Sequence, residues 1–218
     1  MLREILTLLK KELMMEWKQK YAFNGLIMYV LCMVVVISLA FVNKLNPLTW
    51  NIIYWIIMLF VAINSVAKSF LSESTGQSLY LYSVVSPTSL IISKLIYNSL
   101  LLVIVAMVAL LSYSFLSEVQ VANVPLMLGI VSLGSMALSA NLTLVTAIAA
   151  KAANRGTLMA VLSFPLMVPV LLVLIRLSNY AVQGLEGNFS YDSLGLLLGI
   201  TFTMSALSVI LFPFVWRD

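Results

Sequence analysis

FNGLIMYVLCMVVVISLAFV, residues 23–42, contains no charged side chain. As a helix rising about 1.5 Å per residue, a run of this length crosses the roughly 30 Å hydrocarbon core of a bilayer. Backbone amides inside lipid have no water to bond, so only a helix or a closed barrel can occupy that space. The alternation of apolar and polar residues that a barrel strand needs is absent. Five further apolar stretches follow, at roughly 48–70, 90–112, 124–149, 157–177 and 193–215. The fold class predicted is an all-α membrane protein of six transmembrane helices in a single domain over residues 1–218.

Composition supports this reading and excludes several chemistries. The chain is 62% hydrophobic and 9% charged, too few charges to solvate that much apolar surface in water. It has no histidine and a single cysteine, Cys32, within the first apolar run. An intrachain disulfide is therefore impossible, and histidine-based zinc sites, bases and haem ligands are excluded. There is no G-x-x-x-x-G-K-[ST] phosphate loop, no H-E-x-x-H and no carboxylate pair within a span. No catalytic residue and no metal ligand is assigned, and the expectation is a non-catalytic subunit. The net charge of +4 is spread over the flanks of the spans, which argues against nucleic acid as a partner.

The basic residues bear on topology instead. With both termini in the cytoplasm, the inner face holds Arg3, Lys10, Lys11, Lys18, Lys20, Lys68, Lys94, Lys151, Arg155 and Arg217, and the outer face only Lys44 and Arg176. That asymmetry predicts a multi-pass membrane protein with both ends in the cytoplasm. The long charged segment ahead of the first span is unlike a cleaved signal peptide.

That leading segment, 1–22, reads as an amphipathic interfacial helix. Leu2, Ile5, Leu6, Leu9, Leu13 and Trp17 share one face, and Trp17 and Tyr21 suit the headgroup boundary. Glu12 lies at the edge of the stripe and Glu16 within it. Either they snorkel or pair with Lys20, or they contact a partner subunit. Lys94, one turn inside the third span, is expected to snorkel to the inner interface.

Residues 71–89 form the longest inner connection. Ser74 and Gln77 fit a capping box, Leu79, Leu81, Val84 and Val85 supply apolar contacts, and Ser86–Pro87 suits the start of the next helix. Glu73 is an acid where positive charge is usual. The segment reads as a surface helix that docks a cytoplasmic protein, or else as a plain connector. In the fourth span Ser132, Ser135 and Ser139 recur at helical spacing near Gly129 and Gly134, a pattern that lets helices approach and hydrogen-bond. In the fifth, Pro165 and Pro169 lie four apart, each removing a backbone bond. The freed carbonyls should face protein or water, in a static bend or a gating element.

Six spans, an amphipathic leader, a docking-like inner loop and no ATPase of its own resemble the membrane half of an ABC transporter. More particularly, the chain resembles the haem exporter protein B (CcmB) family. The likeness is carried by Lys11-Glu12-Leu13 through Trp17 to Tyr21-Ala22-Phe23-Asn24 and by Phe70-Leu71-Ser72-Glu73 with Gly76. It continues through Ser86-Pro87 with Lys94, Ala149-Ala150-Lys151-Ala152, Arg155-Gly156, Ser163-Phe164-Pro165-Leu166 and Pro169. The resemblance implies an ABC-2-type exporter permease subunit of the bacterial inner membrane, for haem export or handling in c-type cytochrome maturation. It implies ATP bound on a separate cytoplasmic ABC ATPase subunit, a second copy of the chain, a haem-handling membrane protein and a small adaptor as partners, and membrane lipid around them. By the same analogy Phe70, Ser72, Glu73, Gly76, Gln77, Tyr80, Ser86 and Pro87 would form the ATPase-docking coupling segment. Haem would be a substrate and not a resident cofactor. A permease half for a lipid or drug, and an ATP-independent scaffold, are the alternatives.

Overall fold

A computed structural model describes residues 2–18, 20–41, 45–71, 85–117, 119–149, 155–184 and 190–217. Its elements are α1 (Leu2–Lys18), α2 (Lys20–Ala40), α3 (Pro47–Leu71), α4 (Pro87–Leu116), α5 (Val124–Ala149), α6 (Arg155–Gln183) and α7 (Tyr191–Arg217). Six of these, α2 to α7, are long and apolar enough to cross a membrane, and no strand occurs among the described residues. The protein is an all-α membrane protein, as composition and run length required.

Helix α5 is the centre of the bundle. It packs on α3, α4, α6 and α7, and 72% of its spanning window is buried, against 11% for α7 and 17% for α2. The cause lies in its small residues. A Cβ built on Gly134 would stand 2.5 Å from Trp55 Cη2 and 2.7 Å from Leu174 Cδ2, so glycine is what lets α3 and α6 close on this helix. Of the serines expected to bond across helices, only Ser139 does so, accepting from Ser99 on α4 at 3.2 Å. Ser132 and Ser135 donate to Gly129 O and Val131 O of their own helix. A serine hydroxyl reaches the carbonyl three or four residues back whenever no partner helix offers a nearer acceptor.

One boundary differs instructively from the sequence reading. Residues 178–183 read as linker but extend α6 to Gln183. Ser178 Oγ lies 2.6 Å from Leu174 O and 2.7 Å from Asn51 Oδ1, and it accepts from Trp55 Nε1 at 2.8 Å. Tertiary partners thus outweigh the weak helix propensity of the Ser-Asn pair. Gly184 ends the helix at φ +67°, where a side chain would be strained, and its N–H closes on Tyr180 O at 3.0 Å. Helix α6 also runs unbroken through Pro165 and Pro169, and both prolines are exposed on the outside of the chain beside Phe164 and Val168. Within one chain no other described helix covers this face.

At the α3 N-terminal end of the bundle the core is aromatic. Trp50 stacks on Tyr113 at 5.0 Å between ring centres, and Tyr54 meets Trp55 edge-on at 5.3 Å. Two of their polar tips are tied to α4 and the residue after it: Trp50 Nε1 donates to Ser117 Oγ at 2.6 Å and Tyr54 OH to Ala106 O at 3.1 Å. Asn51 Nδ2 donates to Ile175 O at 2.9 Å. Nearby, the N–H groups of Ala122 and Asn123 donate to Val182 O and Ala181 O, fastening the α4–α5 connection to the last turn of α6.

Candidate functional site: an ionic clasp at the α1 end

The opposite end of the bundle is held by charge. Helix α4, at 30 residues, is about 45 Å long and outreaches a bilayer core by roughly 15 Å. Pro87 occupies its first turn, where a missing N–H costs nothing, and Ser86 stands at the cap. The Ser86 hydroxyl does not cap its own helix. It lies 3.0 Å from Glu4 Oε2, and Ser89 Oγ lies 2.9 Å from the same oxygen. Hydrogen bonds first from Ser89 and then from Ser86 hold the Glu4 carboxyl below the ordinary carboxylate range.

Two turns further along, Lys94 Nζ lies 3.6 Å from Glu12 Oε1 and donates to Ser69 O, in the last turn of α3, at 2.6 Å. The lysine is fully buried and Glu12 nearly so. One turn beyond, Tyr97 OH donates to Glu16 Oε2 at 2.8 Å. Acids 4, 12 and 16 of α1 thus meet residues 86/89, 94 and 97 of α4 in the same order, and α1 runs alongside the first three turns of α4. Its apolar stripe divides accordingly. Ile5 is buried while Leu6 and Leu13 stay exposed, and Leu8, which the predicted stripe did not include, is buried in a cluster with Leu90, Ile91, Ala147 and Phe212.

Three sequence expectations change here. Lys94 does not snorkel to water, because a carboxylate and a carbonyl meet it inside the protein. Glu12 and Glu16 meet Lys94 and Tyr97 on α4 of their own chain. A leader helix viewed alone shows where its acids lie but not which cation another helix brings. Glu4, Ser89 and Tyr97 were missed altogether. The legible signal was periodic: acids four apart on the leader, and Lys94 and Tyr97 three apart on α4, each set on one helical face.

Of the docking residues, Ser72, Glu73, Gly76, Gln77 and Tyr80 lie outside the described residues, as do the side chains of Phe70 and Trp17. Ser86 and Pro87 are in place at the start of α4. The residues that flank the connection are both engaged: Ser69 through its carbonyl on Lys94, Ser86 through its hydroxyl on Glu4. Both ends of the 71–86 connection are therefore tied to α4, directly or through α1.

Between the two ends, α4 and α5 share uncharged polar contacts. Asn98 Nδ2 donates to Thr143 Oγ1 at 3.1 Å, beside the Ser99–Ser139 pair. A groove of about 720 Å³ runs along the outside of this seam, lined by Ile96, Leu100, Met136, Ala140, Thr201 and Ser205 and facing where lipid would be. It contains no charged group.

A six-span helical bundle with a largely apolar interior and a buried Lys94–Glu12 pair near one end is the architecture of a polytopic membrane protein. The family model described as CcmB protein matches residues 3–217, and the chain belongs to the CcmB family. That places it among the haem-exporter ABC permease subunits of cytochrome c maturation, multi-pass proteins of the inner membrane. No curated protein matched the chain in a similarity search.

Proposed function

We propose that the chain is the force-transmitting permease subunit of an ABC complex for haem handling, with both termini in the cytoplasm and ATP hydrolysed on a separate subunit. The 71–89 segment, with Phe70, Ser72, Glu73, Gly76, Gln77, Tyr80, Ser86 and Pro87, docks that ATPase. Pro165 and Pro169 serve the movement of α6. A second copy of the chain, a haem-handling membrane protein and a small adaptor complete the assembly, and haem is cargo. The reading rests above all on one observation. The Ser69 carbonyl and the Ser86 hydroxyl, at the two ends of the connection, are bound to Lys94 and Glu4. A displacement of the docked segment therefore moves α3, α4 and α1 together, because a buried ion pair resists separation in a medium of low dielectric. With no histidine to ligate iron, the subunit passes motion to a neighbour that binds haem.

The test is a mild-detergent pull-down of the tagged chain from its native membrane, comparing wild type with Glu73→Lys. A P-loop ATPase should accompany the wild type and be depleted by the substitution. If no ATPase is recovered under several stabilising conditions, the transporter reading fails and a scaffold takes its place.

A further inference from the structure

A cavity of about 440 Å³ lies between Leu13 and Glu16 of α1, Phe23 and Asn24 of α2, and α4, within the size range of small-molecule pockets. Its two ends differ in kind. Leu100, Leu101 and Ile104 form an apolar wall that continues along the spanning part of α4, and Leu100 and Ile104 are about half exposed. At the α1 end stand Glu16, Tyr97 and Asn24. Glu16 is half-buried and its carboxylate is met by the Tyr97 hydroxyl, a neutral donor that occupies Oε2. Lys94, one turn away, is turned to Glu12 and Ser69 O.

We propose that this cavity is a binding site for one phospholipid whose headgroup carries a primary ammonium, the chemistry of phosphatidylethanolamine. The ammonium donates to Glu16 and Asn24, and an acyl chain lies along Leu100, Leu101 and Ile104. Charge sets the class of ligand. A carboxylate at the boundary of the hydrocarbon, satisfied on one oxygen by a neutral hydroxyl, favours a cation with N–H donors, and a charge-assisted bond of that type is roughly twice as strong as a neutral one. A quaternary ammonium offers no such donor, and an anionic headgroup meets repulsion. Depth sets the source. The first spanning run begins at residue 23, so Glu16 sits at headgroup level with the apolar wall beneath it.

Native mass spectrometry of the full chain, released from nanodiscs of equal phosphatidylethanolamine, phosphatidylcholine and phosphatidylglycerol, reads the site directly. The wild type should retain one phosphatidylethanolamine over the other two by about tenfold, the worth of one charge-assisted bond. Glu16→Gln, which keeps an acceptor for Tyr97, should erase the preference. Leu100→Trp, at an exposed position where the core is untouched, should fill the cavity and lose the bound lipid with Glu16 intact. Equal retention of the three lipids by the wild type, or a preference that survives both substitutions, overturns the proposal. So does site-specific crosslinking from Leu100 in native membranes that captures a protein helix and no lipid. The readout needs no ATPase, so its failure leaves the coupling reading standing, and the converse holds too.

Discussion

The two ends of the bundle are built from different materials. At the end where α3 begins, Trp50, Tyr54, Trp55 and Tyr113 pack ring against ring, and the polar tips of Trp50, Tyr54 and Trp55 close on neutral partners. At the end where α3 finishes, Glu4, Glu12, Glu16 and Lys94 hold the elements by charge. Aromatic packing stabilises through contact area and has one good arrangement. A buried ion pair adds little net stability, since the cost of desolvating both charges offsets most of their attraction, but it makes separating the partners costly. The aromatic end therefore resists rearrangement by packing, and the ionic end holds α1, α3 and α4 to one another.

The largest expected effect breaks the aromatic end. Trp55→Ala removes the ring that fills the space opposite Gly134 and the donor to Ser178, and should lower unfolding free energy by about 3–5 kcal/mol. Thermal unfolding in detergent measures this. Protein that remains folded should still recover its ATPase in the pull-down.

Breaking the ionic end should give the reverse pattern. Lys94→Met strands Glu12, which keeps 14% exposure and so some access to water, at a cost of about 2 kcal/mol. Replacing both as Glu12→Leu with Lys94→Met should bring stability back to within about 1 kcal/mol of wild type, as for other buried pairs exchanged for apolar residues. Cytochrome c maturation, read as haem-stained product in complemented cells, should stay deficient in both. A double variant that restores maturation along with stability sinks the transmission role of the clasp.

A smaller effect is expected midway between the ends. A double-mutant cycle of Asn98→Leu and Thr143→Val should return a coupling of about 0.6 kcal/mol, the average for hydrogen bonds between membrane helices. This places the seam below both ends and shows that the polar pairs there set register more than strength.

The smallest effect sharpens the ionic end by pH. The Glu4 carboxyl is lowered in the folded protein from its ordinary value of 4.5. A group with a depressed folded pKa contributes stability that is fully present above the unfolded value and is lost as pH falls through the folded one. Spin labels on α1 and at the start of α4 should therefore hold a constant distance from about pH 8 to about pH 5 and separate as the medium is acidified further. Glu4→Gln should give a weaker and pH-independent contact over the same window.

Run length and charge alone determined that this chain is a bundle of membrane helices. Phe23 to Val42 has no other way to satisfy its backbone in lipid, and no histidine or phosphate loop was present to suggest an enzyme. Local chemistry also marked the start of α4 at Ser86–Pro87, because a proline at a first helical turn needs nothing from elsewhere in the chain. What the tertiary structure alone decided was every pairing between helices. Lys94 could be placed near an interface from its position in a span, but its burial depends on Glu12 arriving from a helix some eighty residues earlier. The extension of α6 through Ser178 likewise depends on Asn51 and Trp55, and the glycine at 134 on the ring that fills the space beside it. Periodicity reports which side of a helix a residue occupies. Only the packed bundle supplies the partner on that side, and the partner determines whether a charge is paired within the protein or left for the membrane to solvate.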